Sequence, residues 1–160
     1  MKKALVFLSA LIVFLGIAAT SLPVKAGAPI IHADHQFFDL ENGLYVLSGH
    51  VQVFHNGHTM LAGTAKTNLI EVWGSGGITY SFADIQITGD EVYANFATRR
   101  VEVTGNVVFT RSGLSIAAPR AEYNWQNKTA VFSGGVTITR SGQTSTADTV
   151  TYDVATNEIK

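Results

Sequence analysis

A chain of 160 residues, 46% hydrophobic and only 14% charged, has room for one domain and little else. Its formal charge of −1 supplies no basic face for nucleic acid, and the absence of cysteine excludes a disulfide framework. The fold must therefore rest on an extended hydrogen-bonded core.

The first 26 residues have the form of an export signal. Lys2-Lys3 supplies the positive start, Ala4 to Ala19 is apolar, and Val24-Lys25-Ala26 places small residues before a cleavage point at Gly27. The apolar run is shorter than the ~20 residues needed to span a bilayer, which favours a cleaved signal over a retained anchor. Cleavage after Ala26 takes the basic residues from 11 to 8 against 12 acids and leaves a charge of −4 on residues 27–160, the single mature domain. Such a balance argues against nucleic acid as a partner.

After the short lead-in Gly27-Ala-Pro29, the chain repeats itself. Tyr45-Val-Leu-Ser-Gly-His-Val-Gln-Val53, Val72-Trp-Gly-Ser-Gly-Gly-Ile-Thr-Tyr80, Val101-Glu-Val-Thr-Gly-Asn-Val-Val-Phe109 and Ala130-Val-Phe-Ser-Gly-Gly-Val-Thr-Ile138 are versions of one stretch. Aligning Gly49, Gly76, Gly105 and Gly134 gives spacings of 27, 29 and 29 residues. The repeats divide as Ala33–Leu61, Ala62–Thr88, Gly89–Ala117 and Ala118–Thr146, with a half repeat, Ala147–Lys160. A period of this length implies a stacked architecture.

Each repeat opens alike: Ala33-Asp34, Ala62-Gly63, Gly89-Asp90, Ala118-Pro119, Ala147-Asp148. Five residues further on stands Asp39, Asn68, Asn95, Asn124 or Asp153, whose side chains bond nearby backbone and start turns. Half a repeat later come His55-Asn-Gly-His58, Arg111-Ser-Gly-Leu114 and Arg140-Ser-Gly-Gln143, which are hairpin signals. Two turns per repeat predict two strands per repeat, hence nine or ten antiparallel strands and no helix.

Alternation then assigns the faces. One column is Tyr45, Leu47, Val51, Val53, then Val72, Ile78, Tyr80, then Val101, Val103, Val107, Phe109, then Phe132, Val136, Ile138. The other is polar, from Ser48, His50 and Gln52 to Ser133, Thr137 and Thr139. A period of two places the columns on opposite faces, one buried and one wet. In the intervening strands the apolar parity slips by one at Gly89-Asp90 and Ala118-Pro119, which predicts a bulge where the strand turns a corner. The central glycines predict a second bend. Strands that bend while keeping one face inward build a curled double sheet, either a jelly-roll or an open, flattened barrel.

The pattern at Ala33-Asp34, Leu47-Ser-Gly-His-Val51, Gly89-Asp90, Val103-Thr-Gly-Asn-Val107, Ala147-Asp148 and Tyr152-Asp153 resembles the OstA-like family of periplasmic lipopolysaccharide-transport proteins. That family includes LptA, LptC and the amino-terminal domain of LptD. The second repeat departs from the pattern, with Ala62-Gly63. The resemblance implies an antiparallel β-jelly-roll built from ~28-residue repeats, with an apolar groove for the acyl chains of lipopolysaccharide. It also implies end-to-end stacking, and handover from an LptC-like to an LptD-like partner. The chemistry is coherent: each acyl CH₂ left in water costs ~0.8 kcal/mol, which a continuous trough removes. Lipid contact is then expected along the apolar column. Assembly is expected at Ile30, Ile31, Ala33 and Asp34 on one terminal strand and at Ala147, Asp148, Val150, Tyr152 and Val154 on the other, because open strand edges template pairing.

Other readings are an LptC-like component with a retained anchor, and a self-assembling structural β-repeat protein whose apolar column is a solid core. An enzyme is not expected, since no Ser-His-Asp set, phosphate loop or carboxylate pair stands out. No cofactor is implied. His55-x-x-His58 lacks the further ligands of a metal site and is expected to point to solvent. Asp34, Asp90 and Asp148 are expected to shape the bend. Trp73 and Trp125 are expected on the outward face or in a turn.

Overall fold

The computed structural model describes residues 30–55, 57–68 and 70–160. The expected export signal, the lead-in and Asn56 lie outside them. Among the described residues every regular element is a strand. They are β1 (Ile30–His32), β2 (His35–Asp39), β3 (Leu44–His55), β4 (His58–Thr67), β5 (Glu71–Phe82), β6 (Ile85–Asn95), β7 (Arg100–Arg111), β8 (Leu114–Asn124), β9 (Thr129–Arg140), β10 (Gln143–Asp153) and β11 (Glu158–Ile159). The count is eleven rather than nine or ten. The difference lies in short pieces at the ends: β1 and β2 are two segments of one broken strand, both paired to β3, and β11 adds only a two-residue rung to β10.

The turns form as their chemistry dictates. Asp39 Oδ1 accepts from the amides of Glu41 and Asn42, and Asn68 Oδ1 from those of Ile70 and Glu71. Asn95, Asn124 and Asp153 do the same in later repeats. At the opposite ends of the strands, Ser112-Gly113 (φ +42°, +78°) and Ser141-Gly142 (φ +51°, +82°) make two-residue hairpin turns with both residues left-handed. That sense of twist matches the strands.

Every long strand pairs antiparallel with its sequence neighbours, so the sheet is a plain meander. Every ladder also breaks register at one level. On β3, β5, β7 and β9 the break is a pair of left-handed residues, Gly49-His50, Gly76-Gly77, Gly105-Asn106 and Gly134-Gly135. Opposite each pair stands one residue of the next strand, Gly63, Asp90, Pro119 or Asp148. The central glycines are therefore not a second bend. They and the slips at Gly89-Asp90 and Ala118-Pro119 belong to one corner line running across the whole sheet. Asp34 and Asp90 fasten it. Asp34 lies 2.7 Å from His50 Nδ1, and Asn106 Nδ2 donates to Asp90 at 2.9 Å. In each case the carboxylate fills the space a side chain at Gly49 or Gly105 would need.

The corner divides each strand into two halves, and the halves face each other. Phe109, beyond the corner of β7, packs against Phe132 and Tyr152, which lie before it on β9 and beyond it on the antiparallel β10, with centroids 5.8 and 5.1 Å apart. Arg111 reaches from the same half to Tyr152 Oη at 3.3 Å and to the Val154 carbonyl at 2.6 Å. One hydrophobic cluster, from Leu47 to Val154, fills the space between. The sheet is not closed, because its first and last strands do not pair with each other. This is an open, flattened jelly-roll made by folding one meander along a line.

Candidate functional site

The interior between the two sheet halves is where the sequence places the apolar column. Of its fourteen residues, Leu47, Val51, Val53, Val72, Ile78, Tyr80, Val101, Val103, Val107, Phe109, Phe132 and Val136 are buried, each 8% exposed or less. Ile138 is half-buried against the same cluster. Tyr45 is half-buried at the first end of the sheet, where its ring lies 4.7 Å from that of Phe38. In the opposite column Ser48, His50, Gln52, Glu102, Thr104, Asn106, Ser133 and Thr137 are all half-buried or exposed.

A cavity of about 80 Å³ lies between the halves. Ile78, Tyr80 and Phe109 line it from one half, and Val101, Val103 and Phe132 from the other. Its walls also include Met60, Ile85, Ile87, Val92, Ala121, Tyr123, Ala130 and Val154. Most of those belong to the alternate strands, which the glycine-centred column leaves out. Their signal is in the sequence once the slip at the corner is applied: Ile85 and Ile87 before it, Val92 after it, and Ala121 with Tyr123 in the next repeat.

Two phenols interrupt this apolar wall. Tyr80 Oη lies 2.7 Å from His58 Nδ1, and the His58 ring is stacked on Phe82 with centroids 3.8 Å apart. His58 is thus folded against the protein and does not point to solvent, contrary to the expectation from His55-x-x-His58. Burial, and then the neighbouring His55, hold its pKa below the usual histidine value. Burial raises the Tyr80 phenol, with a further contribution from Tyr123. Burial pushes Tyr123 up to about 12. The Tyr123 hydroxyl is the one buried side-chain N or O atom among the described residues that has no hydrogen-bond partner.

The turn residues that follow Asn95, Asn124 and Asp153 also reach inward. Phe96 and Trp125 pack against the core, with rings 6.0 Å apart, and Val154 is buried. Trp125 is therefore a core residue in a turn. Trp73 does lie on the outward parity, 5.9 Å from the Tyr93 ring. The backbone N–H groups of Phe96, Trp125 and Val154 donate to the carbonyls of Ile70, Arg99 and Lys128, tying each turn to the one before.

The expected assembly residues sit at the two ends of the sheet, not all on strands. Ile30 and Ile31 are on β1, Ala33 and Asp34 lie in the break between β1 and β2, and Val154 is in the turn after β10. Ile30 is exposed. Exposed Phe37, Phe38, Leu40 and Ile70 extend an apolar surface at that end. At the other end Ala147 is half-buried and Asp148 exposed. Val150, Tyr152 and Val154 are buried in the interior, so on that strand only the backbone edge is available. The outer edge of β10 is paired to β11 at Tyr152 and Asp153 alone. No group of three or more potential metal ligands gathers among the described residues.

No family model matches this chain, and no curated protein sequence matches it. Among solved structures it is similar to the crystal structure of LptH from Pseudomonas aeruginosa, described as the LptA-homologous periplasmic component of the conserved lipopolysaccharide transport device. That similarity has a TM-score of 0.58 at 14% identity, over 74% of this chain and 93% of the other. The chain thus has the LptA-like jelly-roll fold.

Proposed function

We propose that this chain is a periplasmic carrier that shields the acyl chains of lipopolysaccharide between the halves of its folded sheet and bridges inner and outer membranes for export. The observation that carries the reading is the uncharged interior, one hydrophobic cluster that runs from Leu47 to Val154 across the repeats of an unclosed sheet. The fold shared with a lipopolysaccharide-transport component supports it. In this reading residues 1–26 are removed after Ala26, and residues 27–160 form the working domain. Copies stack end to end through the broken first strand and β10, between an LptC-like donor and an LptD-like acceptor. The protein does no chemistry on its cargo.

The cavity also bears on a second reading. At 80 Å³ it is about half the ~150 Å³ that an engineered cavity uses to hold one benzene. An acyl chain therefore enters only if the halves move apart, and a structural β-repeat protein with a solid core needs no such opening. Val103→Asp separates the two. Val103 is 6% exposed and lines the cavity. Both readings bury the new carboxylate and expect a loss of stability. For a carrier, the native protein captures lipopolysaccharide and the folded fraction of the variant does not; for a solid core, neither captures it.

A further inference from the structure

The interior contains a polar atom that its own architecture leaves unused. The clearest measure of this comes from within the repeat. Position for position, Tyr123 corresponds to Phe38, Thr67, Ala94 and Tyr152 in the other repeats. Ala94 is fully buried, so this position is filled without any ring. Where a tyrosine does stand there, its hydroxyl is provided for. Tyr152 Oη accepts from Arg111 Nη1 at 3.3 Å and donates to Asn157 Oδ1 at 2.8 Å. Tyr80, across the interior, has its hydroxyl committed to His58. Tyr123 alone brings a hydroxyl into the cavity wall, buried and unpartnered. A phenylalanine would fill the same volume without the desolvation penalty of an unpaired O–H.

We propose that Tyr123 is a specificity residue: its O–H donates to an oxygen carried on an acyl chain, either a hydroxyl or an ester carbonyl. The inference rests on the carrier reading above. The surroundings fix the chemistry of the ligand. A wall that is otherwise apolar takes hydrocarbon, and the one unpartnered donor set into it takes one acceptor on that hydrocarbon. A free sugar or phosphate fails the first condition, and a plain saturated chain fails the second. A site built to donate one hydrogen bond rejects an analogue that lacks the acceptor, because the donor stays buried and unpaired.

The test uses the exported full chain and displacement of a fluorescent fatty acid by three competitors: tetradecanoate, 3-hydroxytetradecanoate and 3-acetoxytetradecanoate. The native protein should favour one or both oxygenated chains over tetradecanoate by about three- to tenfold, the worth of one neutral hydrogen bond. Preference for the hydroxy acid alone identifies a hydroxyl as the partner, and preference for the acetoxy acid alone an ester. Tyr123→Phe should lose the preference and bind the three chains alike. Its unfolding temperature without lipid should be unchanged or higher, whereas a hydroxyl satisfied by trapped water would lower it on removal. A preference that survives in Tyr123→Phe overturns the inference, as does equal binding of all three chains by the native protein. Failure of every chain to bind contradicts the carrier reading itself, and this inference falls with it.

Discussion

Glycines along the corner differ in what surrounds them. Gly105 sits at φ +75°, and the carboxylate of Asp90 occupies the place where its Cβ would be. Gly135 sits at φ +92° with open space around it. Gly105→Ala should therefore cost about 2–3 kcal/mol, backbone strain plus displacement of Asp90, and Gly135→Ala about 1 kcal/mol, strain alone. Urea unfolding compares them directly, and equal losses would mean that Asp90 does not hold the bend. His58 makes a pH prediction. Its pKa is lowered in the folded state, so the unfolded chain binds more protons. Its contribution to stability is then whole above the ordinary value of 6.5 and lost as pH falls below it. Asp39, Glu71, Asp84 and Asp153 are lowered from ordinary carboxylate values and act in a separate, more acidic window. The unfolding temperature should drop between pH 7 and 5, and His58→Gln should flatten that drop. An unchanged slope in the variant would remove His58 from the account.

At the scale of elements, much was legible because it follows from short-range rules. A period of two gave the faces, Asn and Asp gave one set of turns, and Ser-Gly gave the other. The register break at Gly89-Asp90 and Ala118-Pro119 was visible as a parity slip. That Gly105 stands at the same break was not, because only pairing across strands brings Gly105 beside Asp90. The inward turn of Trp125 was hidden for a similar reason. A residue after an Asx turn has no parity to read, and its burial depends on the stacked turn that holds its amide. That stacking also gives the register of end-to-end assembly. Phe96, Trp125 and Val154 each donate to a carbonyl 26 residues earlier. Leu40 holds the equivalent donor position in the first described turn and is 87% exposed. Asn157, at φ +61°, holds the position of Arg99 and Lys128, both at φ +58°. Stacked copies should bring Leu40 of one beside Asn157 of the next. In this cysteine-free chain, Leu40→Cys with Asn157→Cys should give a ladder of disulfide-linked multimers on oxidation, and either single variant no more than a dimer. A double variant that stays monomeric at concentrations where the native chain associates would refute this register.

For the molecule as a whole, the account turns on one line of corners. It folds a meander onto itself, puts the apolar column inside and leaves a small apolar cavity between two sheet halves. The central claim is that this interior receives lipid. A photo-crosslinking amino acid at Val103 in one strain of a diderm host and at Thr104 in another tests it most directly. Neighbouring residues of one strand point to opposite faces, and here Val103 is buried in the cavity wall and Thr104 is on the outer face. The account predicts a lipopolysaccharide adduct at Val103 and none at Thr104. Adducts at neither position, with the protein folded and exported, would contradict it and leave the interior a solid core.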